Sequence, residues 1–303
     1  MMHRFYLPPE QCRVETLLLT GCEARHAVQV LRLGRGERVI VLNGEGLEFL
    51  CETRESQRGK VSLAVLERRA IPPLPCQSTL LQGLPKGQII ESIIQKAAEL
   101  GASRIVPLLT ERVVTRLGAH EAPRKTEKWQ RAAIEAIKQC GLAWLPKVQS
   151  PSPLQEWLAR QEQFELPFLA SLQAGSRHPR QYFEAFGAKH GRAPRTACVW
   201  VGPEGDFTPA ETDAIKAAGS LPITLGPRVL RADTAAAYCL SVLNYELQAR
   251  LHDAEPAPET GGLETAGASA SETGARAPGS TPRSQSLLPK PGPQSSSGTV
   301  PAS

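Results

Sequence analysis

The sequence predicts an α/β protein with a mostly parallel sheet, preceded by a small β-rich domain. Residues 13–70 contain short apolar runs separated by turn residues, whereas residues 78–226 alternate apolar runs with amphipathic helices. The segment 71–75 between them contains three prolines, which prevent a helix or a central strand. We therefore predict one domain at residues 1–72 and a second at residues 73–252.

The first region carries four runs that are typical of strands: VETLLLTG, ERVIVLNGEG, EFLCET and KVSLAVLER. Asn43-Gly44 favours a tight turn after the second run. An amphipathic stretch at about residues 23–33 is predicted to be helical. Together these features predict a compact β-barrel.

The second region alternates strands with helices. The predicted strands are residues 78–84, 104–109, 166–172, 196–202 and 222–226. The predicted helices are residues 89–101, 126–140 and 152–163, with one more helix after each of the last two strands. This alternation predicts a mostly parallel sheet covered on both faces, which binds ligands at the carboxyl ends of its strands.

Composition and charge exclude several classes of protein. Residues 253–303 are predicted to be a disordered tail, because 37 of the 50 residues at 254–303 are Pro, Gly, Ser, Ala or Thr. The formal net charge of +5 permits an acidic partner without requiring one. Seven scattered cysteines without a C-x-x-C pair indicate reduced thiols in a cytoplasmic protein, without a zinc ribbon or other metal site. We expect no membrane segment and no signal peptide, because the chain lacks the apolar run that either needs.

The loop after the strand at 196–202 is the first candidate ligand site. Gly202 and Gly205 leave bare backbone just before a helix start in which Thr208 and Glu211 have the spacing of a capping box. The alternative is a turn whose glycines only supply positive φ values. A phosphate-binding loop is disfavoured, because neither the dinucleotide glycine spacing nor Gly-Lys-Ser/Thr follows.

The loop after the strand at 222–226 is the second candidate. Arg228 and Arg231 flank the apolar pair Val229 and Leu230, just before a long helix that Asp233 or Thr234 could cap. The alternative is a solvated basic loop. Both candidate loops leave the same edge of the predicted sheet.

Four motifs in these regions resemble the RsmE family of SPOUT-class RNA methyltransferases. They are LPKG at 84–87, IIQKAAELGASRIVPLLTERV at 93–113, VGPEGDFTPAE at 201–211 and LGPRVLRADTAA at 225–236. HRFYL at 3–7 and HAVQVLRLGRGERV at 26–39 are similar to that family's N-terminal RNA-binding domain. The resemblance covers the chain from about residue 3 to residue 250 and leaves out only the tail.

The resemblance implies a PUA-like β-barrel followed by an α/β domain with a deep trefoil knot. It implies methyl transfer from S-adenosylmethionine to N3 of a specific uridine in 16S ribosomal RNA, by family analogy uridine 1498. It further implies a homodimer that acts in the cytoplasm on RNA, within the assembled small subunit.

The family's functional residues carry over onto the matching positions of this sequence. The implied cofactor-binding residues are Ser171, Leu172, Gly202, Pro203, Gly205, Leu225, Gly226, Val229 and Leu230. The chemistry of the implied reaction, and not the family pattern, makes Arg231 the candidate cation that stabilises developing charge. Glu204 or Asp233 could accept the proton, and the alternative for each is a structural role as a loop brace or helix cap. The candidate RNA-binding residues are Arg4, Arg25, His26, Arg32, Lys86, Arg112 and Arg228.

The chain departs from the family pattern at a few positions. Asp206 replaces a usual glycine, Asp233 replaces a usual glutamate, and SLQA at 171–174 replaces His-Pro-Glu-Ala. The polar groups of the third cofactor wall therefore differ from the family's. The glycines and the Arg-Val-Leu-Arg segment are retained, which favours an active enzyme.

The sequence disfavours two other functions. A ribose 2′-O-methyltransferase of the SPOUT class would carry Asn-x-Gly and a catalytic arginine in its first motif, and LLQGLPKG has neither. A non-catalytic RNA-binding assembly factor would not need the intact loops at 202–205 and 225–231 and should not bind S-adenosylmethionine.

Removal of the predicted tail should change neither stability nor activity. A chain truncated after residue 253 should keep its melting temperature within a few degrees and its methyl-transfer rate within about twofold, because such a segment buries almost no apolar surface. Calorimetry and a transfer assay on both chains measure this. A large fall in either quantity would contradict the prediction.

Overall fold

The computed structural model describes residues 2–57, 59–112, 121–173 and 175–252. The predicted tail at 253–303 lies outside these residues. The described chain belongs to one compact unit, which contains two sheets with separate hydrophobic cores.

The N-terminal sheet has five strands in the order β1-β3-β4-β5-β2. The strands are β1 (Arg4–Tyr6), β2 (Thr16–Thr20), β3 (Arg38–Leu42), β4 (Leu47–Gln57) and β5 (Lys60–Ala70). Strand β1 pairs in parallel with β3, and the other pairs are antiparallel. Alternate residues such as Val39 and Val41 face a common core, which explains the period-two pattern of the sequence.

The predicted helix at 23–33 is wrong at both ends. Helix α1 (Gly21–Arg25) begins earlier and continues as a π-helical turn over His26–Val30. The backbone of Arg32 has a φ of +54°, which ends the helical path before residue 33. Ala24 and Ala27 pack against the core of the small sheet.

The second sheet is the predicted parallel α/β sheet, and its strand order is β12-β10-β11-β6-β7-β8, with β9 also paired to β7. The strands are β6 (Gln77–Gly83), β7 (Arg104–Leu109), β8 (Lys147–Val148), β9 (Ser152–Pro153), β10 (Leu166–Ala170), β11 (Thr196–Val201) and β12 (Leu221–Ile223). All of these pairs are parallel. Consecutive residues such as Leu80 and Leu81 enter different cores, so both faces are buried and the strands are continuous apolar runs.

Six helices accompany this sheet. They are α2 (Ile89–Glu99), α3 (Glu121–Cys140), α4 (Leu154–Ala159), α5 (Pro179–His190), α6 (Pro209–Ala217) and α7 (Ala232–His252). Residues of α2, α3, α5 and α7 join one core, and residues of α4 and α6 join the other.

Helix boundaries differ from the sequence predictions in three places. Helix α3 begins five residues before the predicted residue 126, whereas α4 covers only Leu154–Ala159 of the predicted 152–163. Pro153 precedes α4, and the φ of +50° at Gln161 follows its end. Helix α5 was not predicted, although Pro179 at its first turn and the left-handed Gly191 after its end are typical boundary residues.

The two sheets are joined at the β3–β4 turn and at the end of α3. The turn forms backbone hydrogen bonds with residues 143–145, from Gly46 N to Ala143 O at 3.0 Å and from Leu145 N to Gly44 O at 2.9 Å. Trp144 Nε1 donates to Ile71 O at 2.9 Å. These bonds cross the boundary proposed at residues 72/73.

A buried ion pair lies at the same junction. Lys138 Nζ is 2.8 Å from Glu23 and 3.0 Å from Glu135, and the Lys138 side chain is 6% exposed. Burial lowers the pKa of Lys138, but hydrogen bonds to both carboxylates and their charges outweigh this effect and raise the pKa above its ordinary value of 10.5. The interaction therefore stabilises the folded chain while Lys138 is protonated.

Glu23→Gln should destabilise the fold by about 2 kcal/mol at neutral pH, because it leaves a buried ammonium with only one carboxylate. Lys138 has a higher pKa in the folded than in the unfolded chain. Its contribution is therefore complete below the unfolded pKa and is lost as the pH rises through the folded pKa. Denaturant unfolding from pH 7 to pH 11 should show the difference between wild type and variant narrowing at the alkaline end.

Glu127→Gln is the matched control, because Glu127 pairs with Arg131 and both side chains are more than 70% exposed. It should cost less than about 0.5 kcal/mol. Equal effects of the two substitutions would show that the Lys138 pair contributes no more than a surface pair.

Candidate active site

A cavity of about 270 Å³ opens at the carboxyl edge of the parallel sheet. Strand β10 lies between β11 and β12, so the segments that leave these three strands are neighbours. Its walls are residues 170–172 after β10, residues 201–204 with Asp206 after β11, Leu225, and residues 228–232 with Ala235 at the start of α7. The two loops selected from the sequence therefore lie in one site.

The loop after β11 approaches the cavity with bare backbone at Gly202. A Cβ atom on Gly202 would lie 2.5 Å from Asp206 Oδ1, so no side chain fits there without displacing the loop. Asp206 has a φ of +57°, and its Oδ1 accepts a hydrogen bond from Phe207 N at 2.8 Å. Aspartate tolerates this left-handed conformation, which explains how it occupies a usual glycine position.

The predicted capping box is confirmed at the start of α6. Thr208 Oγ1 accepts from Glu211 N at 3.3 Å, and Glu211 Oε2 accepts from Thr208 N at 2.8 Å. Glu211 is 5% exposed, and its other oxygen accepts from Glu111 N at 2.8 Å. One buried carboxylate thus fixes the helix start and fastens it to the end of β7.

Two more contacts fasten the loop after β11 to the segments that follow β6 and β7. The Glu204 carboxylate accepts hydrogen bonds from Lys86 N at 3.1 and 3.2 Å. Arg112 Nη1 donates to Gly205 O at 2.6 Å. Gly205 consequently packs beside Arg112 and lies outside the cavity lining, whereas Glu204 lies in it.

Gln82, at the end of β6, was not selected from the sequence. It is fully buried, and its Nε2 donates to the carbonyl groups of Gly83, Val201 and Gly202 at 2.9 to 3.3 Å. Gly83 contacts Pro203 so closely that a Cβ atom would lie 2.5 Å from Pro203 Cδ. Both contacts set the position of the cavity wall at residues 202–203. Only their place at a strand end could have suggested this role.

The wall after β10 contains both residues predicted there. Ser171 N donates to Ile223 O at 3.0 Å, and Ser171 Oγ accepts from Gln173 N at 3.1 Å. Gln173 in turn accepts from Lys216 Nζ of α6 at 2.7 Å. Leu172 lies on the cavity with 59% of its surface exposed.

The loop before α7 supplies a further wall of the cavity. Leu225 and Leu230 line the cavity and pack against the main core, whereas Val229 lines it with 79% exposure. Gly226, with a φ of +100°, lies outside the lining. Seven of the nine predicted cofactor residues therefore share the cavity.

Arg228 and Arg231 both line the cavity and are exposed. Among the described residues, neither guanidinium has a hydrogen-bond or ion-pair partner. The backbone carbonyl of Arg231 accepts the first bond of α7, from Ala235 N at 2.8 Å. The backbone of Arg231 is therefore fixed while its side chain is available to a ligand.

Asp233, the other predicted proton acceptor, is not among the cavity residues. Its Oδ2 accepts from Lys96 Nζ at 3.2 Å, which joins α7 to α2. This hydrogen bond lowers the pKa of Asp233 more than partial burial raises it. Asp233 thus has a structural role in which its carboxylate is a weakened base.

The candidate RNA-binding residues form two groups. Lys86, Arg112 and Arg228 are exposed on the loops around the cavity. The other four belong to the N-terminal sheet, where Arg25 and Arg32 are exposed.

Arg4 and His26 have internal contacts as well. Arg4 Nη1 donates to Gln139 O at 3.3 Å, and the guanidinium packs over Gly141. The His26 ring contacts Phe5 edge-on at 6.1 Å between centroids. Both residues also line a separate cavity of about 320 Å³ at the junction of the sheets.

Among the described residues, no cluster of three or more His, Cys, Asp or Glu side chains could hold a metal ion. No described helix is long and apolar enough to cross a bilayer.

Comparison with known proteins identifies both regions. A sequence profile of the RNA methyltransferase domain matches residues 72–244, and one of the RNA methyltransferase PUA domain matches residues 19–66. Ribosomal RNA small subunit methyltransferase E of Bacillus subtilis is 32% identical over 251 residues, covering 82% of this chain and 98% of that protein. The protein of the same name from Synechocystis is 33% identical, covering 82% of this chain and 79% of its own.

A solved structure agrees with this. The crystal structure of ribosomal RNA small subunit methyltransferase E from Neisseria gonorrhoeae, bound to S-adenosyl methionine, superimposes with a TM-score of 0.70 at 26% identity. The match covers 81% of this chain and 98% of that chain. The predicted fold class and the family resemblance are both confirmed: the chain belongs to the RsmE family of RNA methyltransferases.

Proposed function

We propose that this chain transfers a methyl group from S-adenosylmethionine to N3 of a uridine in 16S ribosomal RNA. The names of its relatives and the cofactor bound in the Neisseria structure support this proposal. The observation that carries it is the cavity at the carboxyl edge of the sheet, which is lined by bare backbone at Gly202 and by two guanidinium groups without partners among the described residues.

The cavity residues fit the proposed cofactor. Apolar side chains at Leu225 and Leu230 and the backbone of Gly202 and Pro203 would hold it, with Ser171 on the third wall. Most pockets for small molecules combine such apolar walls with a few polar groups. When bound, the cofactor supplies an electrophilic methyl group, so the transfer needs no metal ion.

The reaction requires removal of a weakly acidic proton from the substrate and stabilisation of the charge that remains. The N3 proton of uracil is about as weakly acidic as a tyrosine phenol, with a pKa of ~10, so the nucleophile is mostly protonated at neutral pH. Its removal leaves charge shared between N3 and the flanking carbonyl oxygens. We assign Arg231 to stabilise this charge, because its guanidinium is on the cavity and has no partner among the described residues.

Glu204 is the better candidate for the proton acceptor. It lines the cavity, although its carboxylate also accepts hydrogen bonds from Lys86 N. Asp233 lies outside the lining and has a lowered pKa, which reduces its affinity for a proton. We therefore propose that Glu204 accepts the proton and that Asp233 holds α7 in place.

RNA is proposed to cover both the N-terminal sheet and the mouth of the cavity. Arg25, Arg32, Lys86 and Arg228 are exposed and suited to phosphate contacts. We retain the proposed domains at 1–72 and 73–252, since separate cores support them. We propose the assembled small subunit as the substrate. We also propose a cytoplasmic location, which the seven free cysteines support.

The trefoil knot also remains a proposal. The long strands of the sheet follow the order β12-β10-β11-β6-β7, so the last strand in the chain lies at one edge and the first two lie towards the other edge. The short strands β8 and β9 pair with β7 beyond them. Strand β12 lies at one edge, yet α7 after it packs against β11, β6 and α2 near the middle. A chain that returns from the edge to the centre is compatible with threading through a loop.

Arg231→Ala should leave S-adenosylmethionine affinity within a few-fold and lower the methyl-transfer rate by roughly 100-fold or more, because it removes one charge-stabilising donor. Arg231→Lys should restore only part of the rate, since an ammonium cannot reproduce a planar two-pronged donor. Calorimetric titration and single-turnover transfer measure the two quantities separately.

Gly202→Val is the contrasting variant, because a side chain there collides with Asp206 and should abolish cofactor binding. The assignment of Arg231 fails if Arg231→Ala loses cofactor affinity in proportion to its rate. In that case the side chain would hold the cofactor.

A homodimer is proposed through the outer face of α7. The sequence groups Ala235, Cys239, Val242 and Leu243 on one apolar side of α7 and suggests this side for the contact. In the structure, however, Ala235, Cys239 and Leu243 are buried in the chain's own core, and Val242 packs against it. The opposite face carries Thr234, Tyr238, Ser241 and Tyr245 at helical spacing, with Tyr238 43% and Tyr245 74% exposed. Tyrosines with apolar bodies and polar tips are enriched at protein interfaces.

Sedimentation should give about twice 32.7 kDa at micromolar concentration. The double variant Tyr238→Glu with Tyr245→Glu should sediment as a monomer, because it places charge in the contact. Val14→Glu, at an exposed valine of the N-terminal sheet region, is the control and should remain dimeric. A fully active wild-type monomer would refute the dimer, and a dimeric double variant would refute this face.

A further inference from the structure

Two apolar side chains that line the cavity are left largely exposed by the described residues. Val229 is 79% exposed and Leu172 is 59% exposed, and they belong to the segments that follow β12 and β10. Single exposed apolar residues are common on protein surfaces. Two that line one cavity, beside guanidinium groups that have no partner in the described part of the chain, indicate an apolar ligand group with anionic neighbours.

Burial distinguishes Val229 from the inner wall of the cavity. Within the segment 228–231, Leu230 packs against the main core, whereas Val229 is 79% exposed. The exposed surface of Val229 is therefore available to a second ligand beside the cofactor.

The proposed reaction determines what that ligand must be. Uracil N3 lies in the middle of the edge that pairs with adenine, so a paired uridine offers neither its N3 proton nor its N3 lone pair. A base that reacts at this edge has to leave its pair and its stack. Outside the stack its two faces are bare and favour contact with apolar or aromatic groups.

We propose that Leu172 and Val229 form an apolar rim that holds a uracil base turned out of its RNA helix. Arg228 then contacts a neighbouring phosphate, and Arg231 faces the carbonyl oxygens beside N3. This inference rests on the proposed function, because it specifies the conformation of the same substrate. It assigns the two residues to the base, although the family resemblance implied that they contact the cofactor.

The test compares the full-length chain with Leu172→Ser, Val229→Ser and the double variant. Val30→Ser, a 69% exposed valine of the N-terminal sheet region, is the matched control. The RNA is a hairpin with the small-subunit target sequence, prepared with the target uridine either bulged or paired with adenine. A 2-aminopurine next to the uridine becomes more fluorescent when the uridine leaves the stack.

Cofactor affinity and melting temperature should stay close to wild type in all variants. The double variant should lower kcat/KM on the bulged RNA by about 10-fold, and more on the paired RNA, because the rim also has to offset the cost of unpairing. It should also reduce the fluorescence increase that the wild-type chain produces. Val30→Ser should change none of these values.

Two results would refute the assignment of Leu172 and Val229 to the uracil base. One is a double variant with wild-type kcat/KM on both RNAs, and the other is a double variant that loses cofactor affinity in parallel with its rate. A wild-type chain that transfers no methyl group refutes the proposed function instead. The fluorescence then still decides the rim, since an increase that depends on Leu172 and Val229 supports it and its absence refutes it.

Discussion

The parallel pairing of β6 with β11 is the constraint on which the site depends. Gln82 stands opposite Val201 in the register, so the chain leaves both strands at the same edge. There the buried amide of Gln82 binds the carbonyl of Gly202, and Gly83 contacts Pro203 without room for a side chain. Each such hydrogen bond contributes only about 1 kcal/mol, but a buried amide left without partners would cost more. The cavity wall at residues 202–203 is therefore positioned from inside the sheet.

Charged groups around the cavity divide into two kinds. The carboxylates of Glu204, Glu211 and Asp233 accept hydrogen bonds from neighbouring segments and hold loops or helices together. The guanidinium groups of Arg228 and Arg231 lie on the cavity without such partners in the described chain. The carboxylates are thus held by hydrogen bonds within the fold, while the two guanidinium groups are exposed. This arrangement attracts a polyanion such as RNA to the mouth of the cavity.

Local signals predicted much of this architecture, because they depend on neighbours in the chain. The capping box at Thr208, the Gly101 end of α2 and both cavity loops follow from short-range patterns. Helix α5 was missed because its apolar periodicity is weak, although Pro179 marks its start.

Other features could not be predicted, since they depend on which segments the fold brings together. Glutamines at strand ends are usually exposed, and only the partner strand makes Gln82 a buried donor. The same holds for Lys138, whose partner Glu23 lies 115 positions away in the chain. Asp233 could be read as a base or a helix cap, but its bond to Lys96 requires the packing of α7 on α2.

The junction between the two sheets holds the N-terminal surface at a fixed position relative to the cavity. Backbone bonds between the β3–β4 turn and residues 143–145, together with the Lys138 ion pair, fix the distance from the basic N-terminal surface to the cavity. The N-terminal surface and the cavity are then held at one fixed spacing. In the proposed complex, an RNA would be accepted when its folded shape places the target uridine at that distance from the backbone bound to the N-terminal surface. Discrimination among the many uridines of a ribosome would then follow from tertiary geometry, with little need to read the bases in between.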